Sequence, residues 1–209
     1  LKTTGGRWPT SGIVPLSKTL DTPGLLARRA GDLAFAFAAL DPMICRRGVR
    51  MPDIPNLSDL TLGVPDSFFW EDCSPGIAET VEASLKQLES AGARLVKFEL
   101  SGLATVHSMF LKGGVAAPEL AAFIMEELPD YRSSLDPVVA ARLRKAEGLP
   151  AWEYIQRRAL IDRLSAQAAE ELSTVDALLT PTVTLTPPTV SSLADPDAYV
   201  AANTQVLRN

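Results

Sequence analysis

A Ser-His-Asp arrangement needs a histidine, and the chain has one, His107. It stands beside Ser108 in a stretch of helical spacing, where adjacent residues do not face each other. The two are therefore not a ready nucleophile–base pair. No G-x-S-x-G elbow and no G-x-x-x-x-G-K phosphate loop occurs. The two cysteines, Cys45 and Cys73, make no C-x-x-C pair. A zinc site would have to gather both thiols, His107 and a carboxylate from unrelated segments. The acidic pairs Glu126-Glu127 and Glu170-Glu171 fall on polar helical faces, so no two-carboxylate couple stands out. Arg46, Arg47 and Arg50 form a small basic cluster, read as a solvated face with ligand binding as the alternative. By residue type alone, the chain holds no self-contained active site.

Composition narrows the classes further. With 20 Lys and Arg against 25 Asp and Glu, the net charge is -5, opposite in sign to what a general nucleic-acid binder needs. Apolar residues make up 46% of the 209 positions and are spread along all of them, which argues against disorder. The longest apolar run, Leu33 to Leu40, is far short of the roughly 20 residues that span a bilayer. Two cysteines are no disulfide framework, although a single bridge between them stays open, and a reducing cytoplasm is the expected compartment. The opening dozen residues are rich in Gly, Thr, Ser and Pro, unlike a signal peptide. Both ends read as cuts through a longer protein.

The elements that must position any site follow from periodicity. Thr22-Pro23 reads as a cap, with Leu26, Ala30, Leu33, Ala34, Phe37 and Leu40 predicting a helix from Pro23 to Leu40, stopped by Asp41-Pro42. Leu60 to Pro65 predicts a buried strand. Ser74-Pro75 then opens a helix with Ile77, Val81, Leu85 and Leu88 inward, and Ala93 to Leu100 a second strand. That order is a βαβ unit, expected parallel with a right-handed crossover. Helical spacing follows from Thr105 to Leu128, broken at Gly113-Gly114, then from Val138 to Glu147 under an Asp136-Pro137 cap. A long helix is expected to turn Trp152, Ile155, Ala159, Leu164, Ala168 and Leu172 to one side. Asp176 to Thr180 predicts another strand, and Asp195-Pro196 opens a last helix. The class is α/β, with a mixed, largely parallel sheet covered by helices. The aromatic residues Trp8, Phe68, Phe69, Trp70, Phe110 and Trp152 read as core or pocket wall.

One stretch is dense in unusual features: LKTTGGRWPTSGIVPLSKTLDTPGLLARRAGDLAFAFAALDP, Leu1 to Pro42. It resembles the segment of amidase signature hydrolases that follows their Gly/Ser-rich catalytic loop. Leu1, Lys2 and Thr4 match that pattern's opening, and Gly6-Arg7 its G-R. Gly12, Val14-Pro15, Ser17, Leu20-Asp21-Thr22 and Gly24 match the next block, followed by Arg28, Asp32 and Ala34. The departures are Thr3 where proline is commonest, Thr19 for a second serine, and Leu25 for proline. Further on, Asp176 to Thr182, Pro187-Pro188, Asn203 and Asn209 echo the family more loosely.

The resemblance implies hydrolysis of a carboxamide to carboxylate and ammonia by a Ser-Ser-Lys triad, without metal or organic cofactor. The acting lysine must be neutral, and backbone N–H groups serve the oxyanion. In the family these parts lie upstream of the matched segment. No catalytic residue is therefore assigned here: Lys2 belongs to the L-K-P-T box and Ser17 to the later block. The chain is expected to be the C-terminal portion of a single amidase-like domain, residues 1–209, inactive by itself. Lys2, Gly6, Asp21, Gly24, Arg28 and Asp32 are expected to be structural: Arg28 and Asp32 as a helical salt bridge, Asp21 as a cap. Arg7 has two readings, structural or as the bidentate holder of a substrate carboxylate. The expected partners are a small-molecule amide and the remainder of its own chain, with a homodimer as a further option and neither nucleic acid nor membrane. Two alternatives stay open: the A subunit of a glutamine-dependent tRNA amidotransferase, and a non-catalytic scaffold or binding piece.

Overall fold

The structure is a computed structural model that describes residues 1–45, 53–65 and 67–208. The arginine cluster Arg46, Arg47 and Arg50 lies outside the described residues, as does Asn209. In chain order the elements are α1 (Ala30–Leu40), α2 (Pro42–Cys45), β1 (Thr61–Pro65), α3 (Ile77–Ser90) and β2 (Arg94–Phe98). Then come α4 (Leu103–Leu111), α5 (Ala116–Glu127), α6 (Pro137–Glu147), α7 (Ala151–Leu172), β3 (Ala177–Leu178) and α8 (Pro196–Val206). The chain divides into two compact units, one of Leu1–Ile54 with Val115–Leu149, the other of Pro55–Gly114 with Pro150–Asn209.

The second unit carries the sheet. Its strand order is β2-β1-β3, and both pairings are parallel, with Thr61 opposite Arg94, Pro65 opposite Phe98 and Gly63 opposite Leu178. The expected β-α-β order and its parallel pairing hold. Ile77, Val81, Leu85 and Leu88 are half-buried while Glu79, Glu82, Lys86 and Glu89 are exposed, so α3 covers the sheet with the stripe read from its spacing. It opens later than Ser74-Pro75 suggests, because the Gly76 amide donates to Glu79 Oε2 at 2.9 Å and fixes the first turn there. Gly63 permits close strand approach: a Cβ at that position would lie 2.8 Å from Leu178 Cδ2 and 3.1 Å from Phe98 Cβ. Asp176 ties β3 to the start of β1 twice, accepting from the Thr61 amide at 2.7 Å and donating its own to Thr61 O at 2.8 Å.

The expected stripe on α7 is corrected over its first half. Trp152 and Ile155 are 60% and 64% exposed, and Ala159 is exposed, whereas Tyr154, Arg157, Arg158, Leu160 and Ile161 are half-buried. Polar contacts outrank apolar spacing here. Arg157 donates through Nη1 to the Lys112 and Gly114 carbonyls and through Nη2 to Glu153 at 2.6 Å. The first two bonds hold the turn just past the end of α4, and all three fix the rotation of α7. Leu164, Ala168 and Leu172 stay on the inner side as expected.

In the first unit, α5 and α6 pack around Ala121, Ile124 and Leu143, with Leu120, Phe123, Leu128, Leu135, Val139 and Ala146 against them. Asp136 caps α6 through the Val138 and Val139 amides, as its position before proline implies. The helix expected from Pro23 begins instead at Ala30. Residues just before it are committed elsewhere: Lys2 and Gly24 form an antiparallel bridge. The Leu25 amide donates to Leu1 O and the Leu1 amine to Leu25 O, both at 2.8 Å. An extended pairing of this kind is incompatible with helical backbone at the same residues. Cys45 and Cys73 are free thiols.

Candidate functional site

The signature segment forms one bonded structure within its unit. At its opening, Gly24 is required by packing, because a Cβ there would sit 2.6 Å from Leu1 O. Thr3, where the family pattern favours proline, is 5% exposed and donates its hydroxyl to Pro23 O at 3.1 Å. The substitution therefore adds a bond between the same two strands. Gly6 lies in the turn closed by Arg7 N to Thr4 O at 3.0 Å, and Lys2 is exposed beside the bridge.

Arg7 meets a carboxylate that belongs to the chain itself. Its Nε donates to Asp41 Oδ2 at 2.6 Å and its Nη2 to Oδ1 at 3.1 Å. The fork is the bidentate geometry that guanidinium and carboxylate share. Trp8 Nε1 adds a bond to Oδ2 at 3.2 Å and the Met43 amide one to Oδ1 at 3.0 Å. The indole stacks on Phe37 at 5.8 Å, and the guanidinium lies 5.3 Å from the same ring. Asp41 is wholly buried. The Arg7 hydrogen bond holds its carboxyl below the usual carboxylate range; burial pushes the other way, and the Trp8 and Met43 bonds add to the lowering. In the sequence Asp41 reads only as a helix stop, and nothing local marks it as the partner of the Arg7 fork.

The next block is pinned twice. Asp21 Oδ2 accepts from the Leu16 and Ser17 amides at 2.8 and 3.0 Å. It thus closes a turn on its N-terminal side and does not cap α1, which corrects the expected role. Glu119 on α5 accepts from Ser17 Oγ at 2.7 Å, from the Thr19 amide at 3.0 Å and from the Thr19 hydroxyl. Arg28 precedes α1, and no ion pair joins it to Asp32 among the described residues, so the expected i,i+4 bridge is replaced by two exposed charges. Glu119 carried no signal in the sequence beyond a polar position on a helix.

In the other unit, Thr105, Ser108, Lys112, Glu153, Gln156 and Arg157 line an open groove of about 500 Å³ between α4 and α7. His107 is turned elsewhere. Its ring meets Phe68 edge-on at 5.4 Å and Phe110 at 6.4 Å, and its buried Nε2 has no hydrogen-bond partner among the described residues. His107 and Ser108 thus serve different surroundings, as neighbours on a helix should. Among the described residues, no three His, Cys, Asp or Glu side chains gather as a metal set.

A parallel three-stranded sheet under helices, together with a bonded Gly- and Pro-rich opening segment, defines an α/β protein. The chain belongs to the amidase family: the family profile "Amidase" matches residues 1–207. It is 44% identical, over all 209 residues, to 45% of a 2-amino-5-chloromuconic acid deaminase from Comamonas testosteroni. It is 30% identical over 165 residues, 69% of this chain and 31% of the other, to a mandelamide hydrolase from Pseudomonas putida. A crystal structure of an amidase superposes with a TM-score of 0.76 at 23% identity, over 90% of this chain and 41% of that one. That likeness is one of fold. The chain spans less than half the length of these relatives.

Proposed function

We propose that these residues are the C-terminal portion of a single amidase-like domain whose whole protein hydrolyses the C–N bond of a small carboxamide, giving carboxylate and ammonia. Water supplies the oxygen that the acyl carbon gains, and the nitrogen leaves with the protons. The attacking serine, the bridging serine and the lysine base are placed on polypeptide leading into Leu1. The 209 residues supply the wall and the support that hold that polypeptide, in a cytoplasmic enzyme. The observation that carries the reading is the match along the entire chain to the family profile and to a 44% identical relative. That relative's name supports a small acid as substrate and ammonia as product; loss of a 2-amino group places the oxygen of water on C2, whereas amide hydrolysis places it on the acyl carbon.

A second reading, the A subunit of a tRNA amidotransferase, is supported by 34% identity over 110 residues to that subunit from Chlorobaculum parvum. The match covers 48% of this chain and 23% of the subunit, a shorter likeness than the first. The test uses the full-length protein, with ammonia release measured on arylacetamides, glutamine and a 2-aminodienedioic acid, and with a fluorophosphonate label mapped by peptide mass. Release from a free amide, with the label upstream of Leu1, is the expected result; release only from the 2-aminodienedioic acid moves the assignment to a deaminase. Ammonia only from glutamine, and only with partner subunits, moves the assignment to the amidotransferase. Stoichiometric label within residues 1–209 refutes the placement of the triad.

A further inference from the structure

The block Leu16 to Asp21 has no regular secondary structure, yet Ser17 at its centre is 1% exposed. Beside the local turn that Asp21 closes, a carboxylate a hundred positions away holds it. Glu119 takes one bond from the Ser17 hydroxyl, one from the Thr19 amide and one from the Thr19 hydroxyl. Hydrogen bonds to an ionised acceptor are about twice as strong as neutral ones, and three converging on one group tie the locally bonded loop to α5. Ser17 Oγ in turn accepts from the Leu20 amide at 3.1 Å, and Ser17 O accepts from Asp21 at 2.8 Å. From Asp21 the chain runs directly into Pro23, Gly24 and Leu25, which are bonded to Thr3, Lys2 and Leu1. A continuous series of bonds therefore leads from α5 to the first residues of the chain.

We infer that Glu119 is a positioning residue for the reaction: through Ser17 and Thr19 it sets the Leu1–Leu25 ladder, and so the end of the catalytic loop leading into Leu1. This rests on the hydrolase reading above. Glu119 touches neither substrate nor reacting atoms. Its contribution is geometric, and misplacement of a catalytic group by about 1 Å is enough to cost on the order of a hundredfold in rate.

The test compares full-length wild type with Glu119→Ala, Glu119→Gln and Ser17→Ala, measuring amide hydrogen exchange, melting temperature and steady-state kinetics. With Glu119→Ala, the Asp21 and Leu25 amides lose protection about tenfold or more while α3 keeps its own, and kcat falls about tenfold with KM within about twofold. Glu119→Gln, which keeps one carbonyl acceptor but loses the charge, falls between. Unchanged protection at Leu25, or unchanged kcat in a folded Glu119→Ala protein, overturns the inference. So does a kcat loss restored fully by assaying well below the variant's melting temperature, since that is stability alone. Loss of protection in the variant, coupled with a wild type that neither labels nor releases ammonia, leaves the clamp standing and refutes the hydrolase reading.

Discussion

Arg7 and Asp41 show how a residue's chemistry is settled by what it meets. A guanidinium on a glycine-rich turn is suited to a substrate carboxylate, but two of its donors are spent on a buried aspartate that also holds Trp8 and the start of α2. The pH behaviour follows from the sign of the Asp41 shift. Its folded pKa is lowered, chiefly by the Arg7 bond, so the unfolded chain takes up the proton first as pH falls. The stabilisation is complete above the ordinary aspartate value of about 4 and is lost as pH drops through the folded value. Glu171, lowered mainly by its Ser101 hydrogen bonds, acts in the same direction. For Arg7→Ala in the full-length protein, a clear drop in melting temperature at pH 7 is expected, with the gap to wild type narrowing in acid. Glu171 is common to both proteins and cancels. A gap that stays constant from neutral pH down to about 3 means the pair is not electrostatic in origin.

Periodicity predicts an element's place where packing and spacing agree, and fails where hydrogen bonding decides. The inward stripe of α3 and the break between α4 and α5 follow the sequence. So do the Asp136 and Asp195 caps and the parallel order of β1 and β2. The start of α1 does not, because Gly24 and Leu25 pair with the chain's opening, a non-local contact with no local signature. The rotation of α7 does not either, because Arg157 is held by carbonyls at the end of α4. In the sheet, Gly63 faces Leu178 and Phe98 at contact distance. Gly63→Ala is expected to cost about 1–3 kcal/mol through overpacking between strands, read as a lower denaturant midpoint at unchanged slope. A neutral result means that Leu178 moves aside freely and the close approach is not needed.

Across the whole molecule, large apolar side chains reach solvent at Leu26, Phe35, Met43, Ile54, Trp152, Ile155 and Val190. Surfaces of that kind associate unless covered. The 209 residues alone are expected to self-associate at micromolar concentration and to bind a hydrophobic dye, whereas the full-length protein does neither. Monodisperse, dye-silent behaviour of the 209 residues shows that these side chains need no cover. The fold class, the βαβ unit and family membership were all legible in the amino-acid order. Helical and strand periods are local, and the opening motif is long enough to be specific. The candidate site was legible only as a set of residue types. Arg7, Ser17 and Asp21 are marked only as members of the matched motif, and Asp41 and Glu119, the partners of Arg7 and Ser17, lie 34 and 102 positions away. A carboxylate on a helix carries no mark of which distant loop it will bind. Sequence alone therefore determined which elements form and which family they belong to. Tertiary structure alone decided which charges meet, because that depends on how separate segments are brought together in space.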